Sequence, residues 1–206
     1  MPLQNRVTPT GEIVALPGRG TLMGNRGVLH DEHQRIVRTS QVKRWIACVL
    51  EFRGNRRKMM TPRTWTELFF LDEATAFAAG HRPCAFCRNA DYKRFRSLWE
   101  ARFGRVANVD AVDAVLHAQR RDREGQKPVW RADLGTLPDG TYIKVDGKPF
   151  LVWGDALAQW GDGGYVACRA RTPGLNLEVL TPPSIVELFR AGYAPDVHPT
   201  LRALND

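Results

Sequence analysis

Two cysteines stand two residues apart in the stretch HRPCAFC, which covers residues 81–87. Cys84 and Cys87 lie on a predicted tight turn that follows a short predicted helix, and Gly80 stands where that helix should end. Thiols at this spacing can hold one tetrahedral zinc ion or can form a redox-active pair. We predict a zinc site at Cys84 and Cys87, and a thiol redox protein is the alternative.

A structural zinc ion needs about four ligands, and this pair supplies two of them. Cys48 is a candidate because it lies on a predicted strand before the turn, although a single cysteine on an apolar strand is more often a small core residue. His81 lies on the turn itself and can either bind the metal or orient one of its ligands. Other candidates are His30, His33, Cys168 and His198.

The positive charge of the chain is concentrated in its first part. Residues 1–125 contain 22 Lys and Arg against 13 Asp and Glu, whereas residues 126–206 contain 8 against 9. A one-sided basic surface attracts polyanions, so we predict a nucleic acid partner; a solvated basic face without a partner is the alternative. The predicted contacts are Lys43, Arg44, Arg53, Arg56, Arg57, Lys58, Arg63, Arg82 and Arg88.

The stretch ELFFLDEATAFAAGHRPCAFCR, residues 67–88, resembles the second half of the zinc-binding N-terminal domain of Ada-type DNA alkylation-repair proteins. The matching positions are Ala79-Gly80, Arg82-Pro83-Cys84 and Cys87. The resemblance implies a zinc-dependent DNA-binding fold associated with DNA repair. Within it, Cys84 and Cys87 are zinc ligands, basic residues contact phosphate, and DNA rather than RNA is the partner.

The resemblance stops before the reactive half of that domain. The family carries two further thiolates upstream, and one of them accepts a methyl group from DNA. The corresponding stretch of this chain, residues 50–63, contains no cysteine, so the resemblance does not extend to alkyl transfer. The chain as a whole also resembles bacterial proteins of similar length.

Two enzymatic interpretations remain alternatives to a binding protein. Removal of Met1 would expose the secondary amine of Pro2, which can attack an abasic sugar as a lyase or glycosylase does. A metal-assisted hydrolase would draw its acid and base groups from polar residues near the motif. The candidates for that role are His30, Glu67, Asp72 and His81.

The pattern of apolar residues and turns predicts an α+β fold. The first part, 1–125, is expected to hold strands at 12–16, 41–52, 57–61 and 66–71, helices at 73–79, 89–102 and 109–123, and a loop over 18–27. The second part, 126–206, is β-rich, with strands at 141–145, 148–153, 156–160 and 177–180 and a last helix capped by Thr181. We expect the two parts to pack into one unit.

The composition excludes several classes of protein. The chain contains no apolar run of the about 18–20 residues that a membrane span requires, so no membrane partner is predicted. Its N-terminus, MPLQNRVTP, does not resemble a signal peptide, and a cytoplasmic location is expected. Four cysteines are too few for a fold based on disulfide bonds.

Overall fold

The computed structural model of the chain describes residues 1–54 and 58–204. Within these residues the fold is α+β, as predicted, with two six-stranded sheets and five α-helices. The strands are β1 (Gln4–Val7), β2 (Ile13–Ala15), β3 (Leu22–Asn25), β4 (Ile46–Val49), β5 (Leu68–Phe70), β6 (Arg82–Pro83), β7 (Trp130–Asp133), β8 (Tyr142–Val145), β9 (Lys148–Trp153), β10 (Ala156–Gly161), β11 (Gly164–Ala170) and β12 (Asn176–Val179). The helices are α1 (Glu73–Ala78), α2 (Asn89–Phe103), α3 (Val109–Arg120), α4 (Pro183–Arg190) and α5 (Thr200–Ala203), with a 3-10 turn at Leu134–Thr136.

The first sheet is mixed and has the strand order β2-β1-β5-β3-β4-β6. β1 runs parallel to β5 and β4 runs parallel to β6, while the other neighbours are antiparallel. β6 is two residues long and forms one edge of the sheet. The strand that carries Cys48 therefore lies beside the short strand that leads directly into Cys84.

The second sheet is antiparallel and has the strand order β11-β10-β9-β8-β12-β7. The predicted hairpin of β8 and β9 is confirmed, and its turn is Asp146-Gly147. Both turn residues have positive φ angles, 51° and 76°, as a type I′ turn requires. Because that turn follows the twist of the strands, the local sequence fixes the register of this pair.

The short helix α1 lies between the two sheets, and all six of its residues are buried. Ala76 and Ala79 pack with residues of the first sheet, whereas Ala74 and Ala78 pack with residues of the second. Small side chains on both sides of the helix let the two sheets approach it closely. The helix that precedes the thiol turn therefore lies at the centre of the molecule.

A third group of buried side chains joins α1 to the other long helices. Phe77 of α1 contacts Phe95 of α2 at 6.2 Å and Phe189 of α4 at 5.5 Å between ring centroids. Leu116 of α3 and Tyr193, which follows α4, belong to the same cluster. Residues from both predicted parts of the chain contribute to this core.

The prediction of a loop over residues 18–27 was wrong, because β3 lies within it and is an inner strand of the first sheet. Gly24 lies within that predicted loop. A Cβ atom at this position would lie 2.1 Å from the carbonyl oxygen of Ile46 on β4. Gly24 thus permits two backbones to approach closely within the sheet, a use of glycine that resembles a turn signal in the sequence.

The hairpin predicted from strands 41–52 and 57–61 was also wrong in its described residues. The first strand is only Ile46–Val49, and residues 58–61 form turns rather than a strand. Arg53 and Met60 adopt positive φ angles of 54° and 49°, which interrupt an extended chain. Both edges of β4 are occupied instead by β3 and β6.

The ends of two helices differ from the prediction. Asp72 caps α1 as predicted, since its side chain accepts a hydrogen bond from the backbone N–H of Thr75 at 2.8 Å. Thr181 does not cap α4; its hydroxyl accepts a hydrogen bond from the backbone N–H of Tyr142 at 2.8 Å. α3 ends at Arg120 instead of 123, because the next residue is extended.

Among the described residues, none of the helices has the length and apolar composition needed to cross a bilayer.

Candidate metal centre

Three cysteines meet at the edge of the first sheet. Because β4 and β6 pair in parallel, with Ala47 opposite Pro83, the chain brings Cys48 and Cys84 to neighbouring positions. The backbone N–H of Cys84 donates to the carbonyl oxygen of Ala47 at 2.9 Å and continues this pairing into the turn. The sulfur atoms of Cys48, Cys84 and Cys87 all lie within 4.8 Å of one another.

The spacing of these sulfur atoms can be compared with that of a metal site. Tetrahedral zinc with Zn–S bonds of about 2.3 Å places its sulfur ligands about 3.8 Å apart. The three sulfurs, within 4.8 Å of one another, need only a small movement to reach that geometry. They can therefore hold a metal ion. Within residues 1–54 and 58–204 the group has three members, so a fourth ligand would come from solvent or from a bound molecule.

The three thiols have different proton affinities. A hydrogen bond from the Cys48 thiol lowers the pKa of Cys84 to about 5, and backbone N–H groups of Cys87 and Phe86 act in the same direction. The bond to Cys84, followed by burial, raises the pKa of Cys48. Burial also raises the pKa of Cys87. Metal ions bind cysteine as thiolate, so a metal ion would release the protons held by Cys48 and Cys87.

The other predicted ligands lie apart from this cluster. His81 is buried, and its Nε2 accepts a hydrogen bond from Nε of Arg26 at 3.3 Å. Its ring packs against Trp45 and Phe70, with centroid distances of 5.1 and 4.5 Å. Burial, followed by the charges of Arg26 and Arg120, lowers the pKa of His81. His81 is thus a neutral residue of the interior and does not belong to the three-cysteine group.

The remaining histidine and cysteine candidates also have other environments. Nδ1 of His30 lies 2.7 Å from the hydroxyl of Thr66, and its Nε2 lies 3.1 Å from the carbonyl oxygen of Thr61. Cys168 is exposed on β11 in the second sheet. None of the described histidines joins the cysteine cluster.

Two arginines that flank the thiol turn correct the predicted nucleic acid surface. Arg82 is buried and binds both carboxylate oxygens of Asp113, at 2.9 and 2.7 Å. Arg88 is buried and donates to Glu73 at 2.6 Å and to Asp91. Neither guanidinium lies on the surface, so neither is placed to contact phosphate. Instead, the two ion pairs hold the turn against α3 and α1.

The other predicted phosphate contacts are exposed where the structure describes them. Lys43, Arg53, Lys58 and Arg63 are exposed, and Arg44 is exposed with an ion pair to Asp110 at 2.8 Å. Arg56 and Arg57 lie outside the described residues.

Two aromatic residues beside the thiols were not singled out from the sequence. Phe86, inside the Cys84–Cys87 turn, has 68% of its surface exposed. Its ring centroid lies 5.0 Å from that of Phe52, and the guanidinium of Arg53 lies 5.2 Å from the Phe52 ring and 5.6 Å from the Phe86 ring. We call Phe52, Arg53 and Phe86 the aromatic tip. Phe86 could have been identified from the sequence, because it is an apolar residue between two cysteines on a predicted turn. Buried core residues are not expected at such a position.

The predicted catalytic residues lie outside the cysteine group of the described part of the chain. Pro2 is exposed at the N-terminus. Glu67 is buried and accepts a hydrogen bond from the backbone N–H of Met60 at 2.7 Å. Asp72 is buried, caps α1 and accepts a hydrogen bond from the hydroxyl of Tyr165 at 2.6 Å. The buried carboxylates have structural partners within the protein and are not members of the cysteine group.

Comparisons of the chain with protein-family models, with curated proteins and with solved structures found no match.

Proposed function

We propose that this chain is a zinc-stabilised DNA-binding protein in which Cys48, Cys84 and Cys87 hold the metal and the aromatic tip contacts the nucleic acid. The observation that carries the proposal is the position of Phe86. Its exposed ring stands between two of the three clustered thiols and lies under the guanidinium of Arg53. A metal at the cysteines would fix this ring in place.

The aromatic tip has the chemistry of a nucleic acid contact. Bases stack on exposed aromatic rings, and arginine contributes both cation–π contacts and a hydrogen bond to phosphate. Lys58 and Arg63 are exposed on the same connection between β4 and β5 and extend the positive charge. The one-sided charge of residues 1–125 supports binding to a polyanion. The preference for DNA over RNA, and an association with DNA repair, rest on the resemblance of residues 67–88.

Zinc, when bound, would supply a rigid tetrahedral link between β4 and the thiol turn. The protein contributes the positions of the ligands. The pairing of β4 with β6 brings Cys48 to the turn, and the buried ion pairs of Arg82 and Arg88 hold the turn from both ends. Because three protein thiolates leave one position for solvent or a ligand, the centre is not closed by the described residues.

Metal content and DNA binding can be measured on the same preparations. We expect about one zinc ion per chain in the unmodified protein, and a large loss in Cys48→Ser, Cys84→Ser and Cys87→Ser. Cys168→Ser is the matched control, because this thiol is exposed on the second sheet, and it should retain the metal. Zinc absent from the unmodified protein, or retained in all three cluster variants, would contradict the proposed centre.

Binding to labelled duplex DNA, single-stranded DNA and RNA should be followed by fluorescence anisotropy at two salt concentrations. With about three phosphate contacts, a rise from about 50 to about 200 mM salt should weaken binding about 40-fold. A protein that binds none of the three nucleic acids at the lower salt concentration does not have the proposed function. Tighter binding to RNA than to DNA would support the proposed nucleic acid surface but contradict the preference for DNA.

The same cluster leaves a thiol redox function as a second candidate, since three sulfurs within 4.8 Å can exchange disulfide partners. Metal analysis separates the two functions. A metal-free protein that forms a Cys84–Cys87 disulfide reversibly would favour redox chemistry, whereas tightly bound zinc in freshly purified protein would reject it.

A further inference from the structure

A second site of charged residues lies away from the cysteines, in a pocket between the two sheets. The pocket has a volume of about 360 Å³ and is lined by parts of the first sheet, the end of α3, the connection 125–129 and β12. Five cations and two carboxylates line it. The cations are Arg26, Arg120, Arg121, Lys127 and Lys144, and the carboxylates are Glu12 and Glu178.

The two innermost arginines are buried without enough hydrogen-bond acceptors. Arg26 is 1% exposed and Arg120 is 3% exposed. Nη1 of Arg26 donates to the carbonyl oxygen of Gly11 at 2.9 Å, but its Nη2 has no hydrogen-bond partner within the described residues. Nε of Arg120 is likewise buried without a partner in that part of the chain. Buried donors are almost always satisfied, so these two indicate a missing acceptor.

The charges of these arginines are also poorly compensated. Both guanidinium groups lie over the ring of Trp45, at 4.0 Å for Arg26 and 4.2 Å for Arg120. Burial, followed by the charges of Arg120 and Arg121, lowers the pKa of Arg26 well below its usual value. Arginine remains protonated in proteins, so the fold carries the cost of a buried positive charge. An anion in the pocket would offset that cost.

The two carboxylates of the pocket already have partners. Glu178 lies 3.7 Å from Nζ of Lys144, and Glu12 accepts a hydrogen bond from the hydroxyl of Thr10 at 3.0 Å. At neutral pH the lining therefore keeps an excess of at least two positive charges, since burial lowers the pKa of Lys127 to about 7. This excess favours a ligand group that carries more than one negative charge, as a phosphate monoester does at neutral pH.

The size and the walls of the pocket restrict the ligand further. A volume of about 360 Å³ is at the lower end of the range for small-molecule sites and exceeds the space that one inorganic anion fills. Apolar side chains complete the lining, among them Trp45, Val129, Val179 and Leu180. The lining suits a molecule with a charged head and an apolar or aromatic remainder.

From these observations we propose that the pocket around Arg26, Trp45 and Arg120 binds a small organic phosphate through its phosphoryl group. Nη2 of Arg26 and Nε of Arg120 are the donors left for a phosphoryl oxygen, because the other nitrogens of the two guanidinium groups donate to protein acceptors. Arg121 and Lys127 lie at the same pocket, and Nζ of Lys127 donates to the carbonyl oxygens of Pro9 and Ala78. The site uses none of the three clustered cysteines and does not depend on the proposed metal centre.

Calorimetric titration of the full chain tests the ligand class with four probes. Phenyl phosphate carries both required parts, inorganic phosphate and phenol carry one each, and benzoate replaces the phosphoryl group by a carboxylate. We expect phenyl phosphate to bind at least about tenfold more tightly than inorganic phosphate, and phenol to show no binding. No binding of either phosphate overturns the proposal. Benzoate binding as tightly as phenyl phosphate would overturn the preference for phosphate.

The phosphoryl group could belong to a free nucleotide or to the end of a nucleic acid strand. To distinguish these sources, the affinities of AMP and of a 5′-phosphorylated oligonucleotide are each compared with the affinity of the same molecule without the phosphate. Tighter binding of AMP than of the oligonucleotide supports a small ligand. An oligonucleotide that binds through its 5′-phosphate while AMP does not would overturn the proposal of a small molecule.

Substitutions of residues at the edge of the pocket test whether phenyl phosphate binds there. Arg121→Gln and Lys144→Gln each remove a lining cation that is not deeply buried, and each should weaken phenyl phosphate binding about tenfold, the usual loss for one charge-assisted hydrogen bond. Arg123→Gln is the matched control, since Arg123 is exposed close to Arg121 in sequence and does not line the pocket. Equal affinities in all three variants, with unchanged melting temperatures, would place the ligand elsewhere and overturn the assignment.

Discussion

Arg82 and Asp113 form a two-point ion pair in the interior of the protein, with Nε–Oδ1 and Nη2–Oδ2 distances of 2.9 and 2.7 Å. Both side chains are 2% exposed. Arg82 is separated from Cys84 by one residue, and Asp113 lies on α3. The pair therefore connects the thiol turn to α3.

Asp113→Asn should destabilise the fold strongly, because it leaves the charge of Arg82 buried without a counter-charge. Breaking a buried pair from one side costs about 3–5 kcal/mol, measured as the change in the free energy of urea unfolding. Asp110→Asn on the same helix is the control. Its partner Arg44 is exposed, so that change should have little effect. Equal effects of the two substitutions would show that Arg82 finds another partner.

Removal of the metal should loosen the aromatic tip and lower the stability of the protein. The proposed ion joins β4 to the thiol turn, so its binding free energy contributes to folding. A strong zinc chelator should lower the melting temperature of the unmodified protein and of Cys168→Ser. Cys84→Ser should already melt at the lower temperature and should not respond to the chelator. A chelator effect of the same size in Cys84→Ser would contradict a metal at this cluster.

Phe86→Ala should weaken DNA binding without affecting the metal. Stacking of one base on an aromatic side chain contributes about 1–3 kcal/mol, which predicts a loss of about tenfold in affinity, measured by anisotropy. Val166→Ala is a suitable control, because Val166 is also an exposed apolar residue, 58% exposed, but lies on the second sheet. The zinc content and melting temperature of both variants should match those of the unmodified protein. A loss of affinity equal to that of Val166→Ala would remove the aromatic tip from the binding surface.

Local signals allowed part of the fold to be predicted from the sequence. Asp72 is the N-cap of α1, and Asp146-Gly147 forms the hairpin turn, because each depends on residues within a few positions. The pairing of β4 with β3 and β6 depends on distant segments. Gly24 looks like a turn residue until the carbonyl of Ile46 is placed beside it. Such close approaches are invisible in a single sequence.

As with the fold, only the parts of the candidate site that depend on nearby residues could be predicted from the sequence. The spacing of Cys84 and Cys87 identifies the turn, but the position of Cys48 follows from the parallel pairing of β4 and β6. Arg82 and Arg88 were interpreted as surface cations because a sequence does not distinguish an arginine on phosphate from one on a buried carboxylate. Asp113 and Glu73, their partners, are 31 and 15 positions away.

Lys127 should make the stability of the protein depend on pH. Burial, followed by the charge of Arg26, lowers its pKa to about 7, while Glu178 acts in the opposite direction. The unfolded chain holds this proton up to a pH near the ordinary value of 10.5, so the unfolded state binds more protons than the folded state above pH 7. Stability should therefore rise with pH between about 7 and about 10.

Lys127→Met isolates this contribution. The substitution removes two hydrogen bonds at every pH. The informative quantity is therefore how steeply the free energy of unfolding changes with pH in each of the two proteins. We expect the unmodified protein to gain about 2 kcal/mol more than Lys127→Met between pH 7 and pH 9, measured by urea unfolding in a buffer without phosphate. If the free energy of unfolding changes equally with pH in both proteins, the Lys127 ammonium stays protonated in the pocket.

Gly80→Ala should be far more damaging than Gly104→Ala, although both glycines follow a helix and both have left-handed φ angles of 85° and 87°. A Cβ atom at Gly104 meets no atom within 4 Å, so that variant should lose about 1–2 kcal/mol from backbone strain alone, since φ 87° and ψ 163° suit glycine. A Cβ atom at Gly80 would lie 2.5 Å from Cδ of Arg120, whose Nη1 donates to the carbonyl oxygen of Gly80. The added methyl group must displace a buried arginine that holds the end of α1 and lines the anion pocket. We expect a loss of at least about 3 kcal/mol in urea unfolding for Gly80→Ala, together with weaker phenyl phosphate binding, and losses of equal size in the two variants would contradict this packing.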